Sequence, residues 1–245
     1  MSDMDIRVFD TAEDVAAAVA GRLADAVAAR PDVVLGLPTG RTPVATYAAL
    51  LRLHHAGNVN FARATTFNLD EFAGIPPGHP GSFRTFMERH LFSKVNLAPA
   101  RIHFLNGAAP NLDVECARYE AAIDAAGGIG LQLLGIGSNG HIGFNEPGTE
   151  LVTRTHRVRL APSTRRDNAA LFGDNLSQVP AEALSMGMGT ILAARTIVLI
   201  ATGARKAPCV QAAVRGSLTT QLPASFLQLH RSVELYLDRP AASRL

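Results

Sequence analysis

The stretch Ile129-Gly-Leu-Gln-Leu-Leu-Gly-Ile-Gly-Ser-Asn-Gly-His-Ile-Gly-Phe-Asn-Glu-Pro147 says more about the fold than any other part of the chain. Its first six residues form an apolar run, and this run ends in a glycine-rich turn. Such a run is typical of a buried strand that delivers its loop to the carboxyl edge of a parallel sheet. Ligands bind at that edge in open α/β sheets, so the turn is a candidate functional loop.

The composition is that of an ordinary globular protein. Of the 245 residues, 47% are hydrophobic and 18% are charged, and the net charge is +2. A charge this small, with scattered basic residues, indicates neither a nucleic-acid partner nor a membrane partner. No stretch approaches the roughly 18 apolar residues of a membrane span, and the first residues lack the pattern of a secretory leader. We therefore expect a cytoplasmic protein.

Apolar runs alternate with helical segments along the chain. Strands are predicted at residues 6–9, 32–37, 64–68, 102–105, 129–134, 157–160, 196–200 and 233–237. Helices are predicted at 12–30, 43–55, 82–92, 114–126, 163–171 and 205–214, and residues 181–193 fit either state. Strands separated by helices form βαβ units with right-handed crossovers. We predict a single domain over residues 1–245, of the α/β class, with a doubly wound, mostly parallel sheet and helices on both faces.

Polar residues follow four of these strands, and the first such strand end is Gly36-Leu-Pro-Thr-Gly-Arg-Thr-Pro43. The start of a helix favours an anion, because its N–H groups are unsatisfied and the helix dipole is positive there. The motif is neither a nucleotide P-loop nor G-x-G-x-x-G. A capped turn, with Thr42 as N-cap and Pro43 at the first helical position, is an alternative that is compatible with anion binding.

The second strand end is Asp70-Glu71, directly after the strand at residues 64–68. Paired acids in such a place can act as a base, an acid or metal ligands. For an isolated pair, a solvated turn with a salt bridge is the more frequent outcome. The pair alone leaves both interpretations open.

The third strand end is the glycine-rich turn, which carries Asn139, His141 and Glu146. A carboxylate that accepts one ring N–H of a histidine selects its tautomer and supports the imidazole as an acid or base. This local pattern favours a functional histidine over a structural one.

The fourth strand end is Ala201-Thr-Gly-Ala-Arg-Lys-Ala207. A lysine at a helix start opposes the dipole, so an anionic ligand would explain Lys206, although exposed lysines are common. In a doubly wound sheet, all four strand ends can face one crevice. They would supply a carboxylate, an imidazole and an anion site, which suits proton transfer on a small phosphorylated substrate without a metal or organic cofactor.

Five motifs resemble those of the glucosamine-6-phosphate deaminase (isomerase) family, which shares a superfamily with the 6-phosphogluconolactonases. They lie at residues 36–43, 66–72, 105–107, 135–147 and 204–207. The resemblance covers nearly the whole chain, and the Gly-His-Ile-Gly-Phe-Asn-Glu-Pro run at residues 140–147 is its most specific part. A lactonase is expected to lack Glu146, so the chain has the deaminase form. The resemblance implies conversion of an amino-sugar phosphate, glucosamine 6-phosphate, into fructose 6-phosphate and ammonia in amino-sugar catabolism.

The resemblance also implies a role for each candidate residue. His141 would assist opening of the pyranose ring, Asp70 would remove the C2 proton and return a proton at C1, and Glu146 would tune His141. The phosphate-binding positions fall on Thr39, Gly40, Arg41, Thr42 and Lys206. An α-amino aldehyde proton does require a nearby base and a stabilised oxyanion.

Two substitutions depart from the family pattern inside the site. Asn139 stands where an aspartate partner of the histidine is expected, and its amide oxygen can still hold the ring, although it cannot stabilise an imidazolium as a carboxylate would. Ala170 occupies the place of a phosphate-clamping arginine, so phosphate binding should be weaker unless another guanidinium substitutes. The candidates are Arg165, Arg166 and Arg41.

A further departure concerns regulation and assembly. The chain ends at Leu245, whereas longer relatives have a C-terminal segment that takes part in allosteric activation and hexamer assembly. His156 and Val158 also replace the basic residues expected for that activation. The resemblance therefore implies a monomer or small homo-oligomer without this allostery.

Three other functions stay open at this point. A lactonase would use His141 to hydrolyse an ester without C2 proton abstraction, and a related deaminase would act on another hexosamine phosphate, such as the galactosamine epimer. A non-catalytic sugar-phosphate sensor usually carries a DNA-binding helix-turn-helix segment, and only a few residues precede the first strand here. Retention of Asp70, His141 and Glu146 also disfavours the sensor.

Overall fold

Ten strands are present in the computed structural model, which describes residues 4–245. They are β1 (Asp5–Phe9), β2 (Val34–Leu37), β3 (Thr65–Asn68), β4 (Asp70–Phe72), β5 (Ile102–His103), β6 (Leu131–Gly135), β7 (His156–Arg159), β8 (Glu182–Ser185), β9 (Thr196–Ala201) and β10 (Val233–Asp238). Seven of them form one sheet in the order β1-β10-β9-β6-β2-β3-β5, and every pairing in it is parallel. The predicted doubly wound, mostly parallel sheet is confirmed.

Eight α-helices accompany these strands in residues 4–245. They are α1 (Ala12–Ala29), α2 (Arg41–His55), α3 (Phe83–His90), α4 (Leu112–Ala125), α5 (Pro162–Asp167), α6 (Met188–Leu192), α7 (Ala207–Arg215) and α8 (Arg239–Ala242). Thr11 starts α1 with a capping box, in which its hydroxyl accepts from Asp14 N and the Asp14 carboxylate accepts from Thr11 N. None of these helices is both long and apolar enough to cross a membrane.

The helices cover both faces of the central sheet. Successive residues of a strand point to opposite faces, so a fully buried strand is apolar throughout. On β9, Val198 and Ile200 pack into the core shared with α1 and α2, whereas Ile197 and Leu199 pack into the core shared with α4 and α7. This double burial explains why the central strands read as continuous apolar runs in the sequence.

A second, three-stranded sheet was not predicted from the sequence. Strands β4, β8 and β7 pair antiparallel in that order, so residues 70–72 are a strand and not a solvated turn. Residues 181–193, ambiguous in the sequence, contain both a strand (β8) and a helix (α6). An aromatic cluster underlies this sheet and ties it to the glycine-rich loop and to α3; it contains Phe72, Phe83, Phe144 and Phe172.

Gly21 offers a test of the helix assignment. It lies within α1, and a Cβ placed on it would meet no atom within 4 Å. We expect Gly21→Ala to raise the free energy of unfolding by about 0.5–1 kcal/mol, because alanine loses less backbone entropy in a helix. Gly57→Ala is the matched control in urea unfolding: it also has open space, but its φ of 77° makes alanine destabilising there. Equal effects of the two substitutions would contradict this account.

Candidate active site

The four polar strand ends belong to four adjacent strands. Strands β9, β6, β2 and β3 are consecutive in the central sheet. The order reverses between β2 and β6, because β3 and β5 continue on one side while β9 and β10 continue on the other. In doubly wound sheets, such a switch point opens a crevice outside the carboxyl ends of the strands. The expected convergence of the four loops therefore agrees with the strand order.

The loop from β2 to α2 leaves a helix N-terminus uncapped. α2 begins at Arg41 with Gly40 in the cap position, and no side chain caps its first turn. The predicted N-cap at Thr42, with Pro43 at the first helical position, is wrong, because Gly40 has a φ of 105° and lets the chain enter the helix two residues earlier. The unpaired N–H groups of this first turn suit an anion.

Two buried tyrosines hold the ends of β2 and β3. The Tyr47 hydroxyl donates to Pro38 O at 2.5 Å, next to the half-buried Thr39. The Tyr119 hydroxyl donates to Asn68 O at 2.7 Å. Since both donors come from helices on opposite faces of the sheet, the two neighbouring strand ends are held from both sides.

Asp70 is buried beside the end of β3. Only 7% of the residue is exposed, and its Oδ1 has no hydrogen-bond partner in the described part of the chain. Burial, together with repulsion from the neighbouring Glu71, raises the pKa of Asp70 to about 8. The alternative of a solvated turn with a salt bridge is wrong for this pair. A buried carboxyl that titrates near neutral pH is suited to general-base catalysis.

Glu71 points away from its neighbour and anchors α3. Its carboxylate accepts from Phe72 N at 2.8 Å, from Phe83 N at 3.0 Å and from Arg84 N at 3.0 Å. Burial raises the pKa of Glu71, and these three N–H donors act in the opposite direction. Glu71 is thus a structural acid, and it influences Asp70 through its charge.

Ser185 connects β4 to the glycine-rich loop. It pairs with Asp70 across the small sheet, and its Oγ accepts from Phe144 N at 3.1 Å. Gly143 lies against both residues: a Cβ placed on it would be 3.1 Å from Ser185 Oγ and 3.6 Å from Asp70 Oδ2. The small sheet therefore brings the Asp70 carboxyl to the loop that carries His141.

His141 stands over Gly137 and close to Glu146. A Cβ placed on Gly137 would be 2.3 Å from His141 Cε1, so glycine is needed there for the imidazole to lie against the backbone. The imidazole Nδ1 is 3.6 Å from Glu146 Oε2, longer than a hydrogen bond. Asn139 does not hold the ring as expected: its Oδ1 accepts from His141 N at 3.2 Å, and its Nδ2 donates to Glu146 Oε2 at 2.8 Å. Asn139 therefore positions the carboxylate and the backbone.

Glu146 is held as an anion. Burial by itself would raise the pKa of this carboxyl, but His141, Thr164 and Asn139 lower it to about 2. The Thr164 hydroxyl donates to Glu146 Oε1 from α5. A fixed negative charge beside an imidazole can stabilise the imidazolium that forms when the ring takes a proton.

Lys206 reaches the glycine-rich loop from the end of β9. Its Nζ donates to Ile136 O at 2.7 Å, and burial lowers its pKa. A short 3₁₀ turn, Ala204–Lys206, precedes α7, so the lysine stands immediately before that helix. This contact confirms that the β9 and β6 loops meet.

The guanidinium expected to replace the missing arginine is not that of Arg165. Its Nη2 donates to Leu176 O at 3.0 Å and to Val179 O at 2.7 Å, which commits it to the segment after α5. Arg41 and Arg166 are both exposed, and Ala170 lies in a short 3₁₀ turn beyond α5. Arg41 and Arg166 thus remain the candidates.

Two residues of the site, Thr164 and Ser185, were not predicted from the sequence. Thr164 lies on α5, in the segment predicted as a helix at residues 163–171, and its hydroxyl donates to Glu146. Ser185 lies on β8 of the small sheet, which was not predicted, and it pairs with Asp70 and lies against Gly143. A hydroxyl residue inside a predicted helix carries no signal of its partner, because the partner is distant in sequence. Only the tertiary structure identifies them.

Known proteins similar to this chain cover nearly its whole length. The chain matches the family described as glucosamine-6-phosphate isomerases/6-phosphogluconolactonase over residues 8–236. It is 48% identical to a glucosamine-6-phosphate deaminase of Rhodopirellula baltica, over 99% of this chain and 96% of the relative. It is 44% identical to glucosamine-6-phosphate deaminase 2 of Bacillus subtilis, over 99% of this chain and 98% of the relative.

Solved structures agree with these sequence matches. A monomeric glucosamine-6-phosphate deaminase superposes with a TM-score of 0.95 at 42% identity, covering 99% of this chain and 100% of that one. The 6-phosphogluconolactonase of Trypanosoma brucei has a TM-score of 0.77 at 19% identity, covering 100% of both chains, which shows a shared fold. The chain belongs to the family of glucosamine-6-phosphate isomerases and 6-phosphogluconolactonases.

Proposed function

We propose that this chain is a glucosamine-6-phosphate deaminase, which converts glucosamine 6-phosphate and water into fructose 6-phosphate and ammonia. The observation that carries the proposal is the buried Asp70, with a pKa of about 8, on a strand end that also contacts the His141 loop. The reaction needs a base for a carbon acid and a separate acid–base group for ring opening. The crevice offers both, and the relatives with 43–48% identity are named as deaminases.

The proposed mechanism divides the proton transfers between two loops. His141 moves a proton between the ring oxygen and the anomeric hydroxyl, and the anionic Glu146 stabilises the charged imidazole. Asp70 then removes the C2 proton to give an enolamine and returns a proton to C1. Water adds to the resulting C2 imine, and ammonia leaves. Asn139 assists by orienting Glu146.

In the proposed complex, the substrate phosphate binds at the start of α2 and beside Lys206. Backbone N–H groups of the uncapped turn can donate to phosphate oxygens, and the ammonium supplies charge. The positions are Thr39, Gly40, Arg41, Thr42 and Lys206. Arg41 and Arg166 are the guanidinium groups that can compensate for Ala170.

We also propose a one-domain, cytoplasmic monomer. The two cores share a single central sheet, which supports one domain over residues 1–245. The structural neighbour with 42% identity is described as monomeric, which supports a monomer here. Phosphorylated sugars are charged and do not cross a bilayer unaided, which favours a cytoplasmic site of action.

The direct test supplies the purified protein with glucosamine 6-phosphate, and ammonia and fructose 6-phosphate are both followed. Equal amounts of the two products are expected. Galactosamine 6-phosphate tests the epimer, and 6-phosphogluconolactone tests the lactonase alternative in parallel. Absence of ammonia from every hexosamine phosphate would contradict the proposed function.

Activity should rise with pH as Asp70 ionises. The base acts only as a carboxylate, so kcat/KM is expected to fall as pH decreases through the Asp70 pKa of about 8. After burial, the Glu71 charge is the second cause of that raised pKa. Glu71→Gln should therefore move the acid limb of the profile about one unit to lower pH.

The control for this shift is Glu88→Gln. Glu88 lies on α3, the helix whose first N–H groups donate to Glu71. Its side chain, however, pairs with Arg84 at the surface. Its substitution should leave the pH profile in place. A profile that does not move in Glu71→Gln, with the protein folded, would contradict the assignment of its acid limb to Asp70.

A further inference from the structure

Thr164 makes a contact with Glu146 that the proposed mechanism does not use. Its hydroxyl donates to Glu146 Oε1, while Oε2 accepts from Asn139 Nδ2 and faces His141 Nδ1. The two carboxylate oxygens thus have different partners. With Oε1 held from α5, the carboxylate plane is fixed and Oε2 is directed toward the imidazole.

The position of Thr164 is itself well defined. Only 3% of the residue is exposed. Its carbonyl oxygen accepts from Asn168 Nδ2 at 2.9 Å and from Asn168 N at 3.2 Å. The next residue, Arg165, fastens the same helix to Val179 O. A hydroxyl held in this way can impose its geometry on the flexible glutamate side chain.

We propose that Thr164 is a positioning residue, which orients the Glu146 carboxylate toward His141 and so acts on ring opening through these two groups. The inference rests on the proposed function for its kinetic consequence. It extends the site from the four strand ends to Thr164 on α5.

The kinetic test compares Thr164→Val, which keeps the shape but loses the hydroxyl, with Thr164→Ser, which keeps the hydroxyl. Because a hydrogen bond to a charged group is lost, kcat with glucosamine 6-phosphate should fall about tenfold in Thr164→Val. KM should stay within about twofold, since the phosphate site is untouched. Thr164→Ser should restore kcat to within about threefold of the parent.

Thr190→Val is the matched control. Thr190 is also a buried threonine, 7% exposed, and its hydroxyl donates to the buried Glu120 at 2.6 Å, away from the strand-end loops. Its loss should lower the melting temperature about as much as Thr164→Val does, while kcat stays near the parent value. Equal losses of kcat in the two valine variants, or no rescue by Thr164→Ser, would overturn the proposal.

A second measurement does not depend on turnover. The titration of the Glu146 carboxyl can be followed by NMR in protein with ¹³C-labelled glutamate, and Thr164 is one of the groups that lower its pKa to about 2. The midpoint should move to higher pH in Thr164→Val and stay in place in Thr190→Val. An unchanged midpoint would overturn the positioning role. Should the parent lack activity with every hexosamine phosphate, the function fails while this titration still decides the role of Thr164.

Discussion

Replacing Asp70 with asparagine is expected to lower kcat with glucosamine 6-phosphate by about two to four orders of magnitude, the usual contribution of a general base. Asparagine is nearly isosteric with aspartate, but it cannot accept the C2 proton. The product ratio of ammonia to fructose 6-phosphate should stay at one for any residual turnover. Steady-state assays in which both products are followed measure this loss.

Asp70→Asn should lower kcat, but it should not lower the stability of the fold at alkaline pH. Asp70 is buried with an unpaired Oδ1 and a pKa of about 8, so its ionised form weakens the fold at alkaline pH. Because folding raises the pKa of Asp70 from 3.8 to about 8, this cost accumulates as pH rises from about 4 to about 8 and stays constant above that. Asp70→Asn should therefore melt no lower than the parent at alkaline pH. A gain of stability on loss of a functional group is typical of active sites.

Glu120→Gln is the control for both kcat and the melting temperature. Glu120 is 5% exposed, and its Oε1 accepts from Thr155 N and Thr190 Oγ1, while Arg154 pairs with its Oε2. Since this buried charge is paired, its removal should lower the melting temperature and leave kcat near the parent value. Robust activity in Asp70→Asn would contradict the mechanism whatever its stability.

The central sheet was predictable because its signals are local. Each central strand is buried on both faces and appears as an apolar run, and the turns that follow carry glycine and polar residues. The Thr11 cap and the adjacency of the four loops follow from the same kind of reasoning. A sequence can therefore place His141 and Lys206 in loops that converge, before any coordinates are known.

The small sheet could not be predicted in the same way. Its strands have only three or four residues, and Asp70 pairs with Ser185 across more than a hundred positions of the chain. The burial of Asp70, and hence its raised pKa, is a consequence of that pairing. Short strands with distant partners carry little periodicity, so propensity alone favoured a solvated turn.

The error at the start of α2 has a different origin. A threonine followed by proline is a good N-cap signal, but Gly40 can adopt a φ of 105°, and this conformation moved the helix start to Arg41. The result strengthens the proposed phosphate site. A side-chain cap would compete for the first-turn N–H groups, and none is present there in the structure.

Gly137→Ala is expected to lower kcat/KM by about a hundredfold, because small displacements of catalytic groups have effects of this size. An alanine Cβ would lie 2.3 Å from Cε1 and 2.4 Å from Nδ1 of His141, so the imidazole must leave its position beside Glu146. The melting temperature should also fall, since overpacking costs about 1–3 kcal/mol. Gly135→Ala, two residues earlier, is the control, because a Cβ there meets no atom within 4 Å.

A double substitution separates displacement of the imidazole from general damage to the loop. In a His141→Ala background the imidazole is absent, so Gly137→Ala cannot clash with it. If Gly137→Ala acts through the imidazole, it should cost at most about threefold in that background, against about a hundredfold in the parent. A full hundredfold loss in both backgrounds would show that the loop itself is distorted. Strong non-additivity would instead establish that Gly137 serves the reaction by giving His141 room to lie against the backbone.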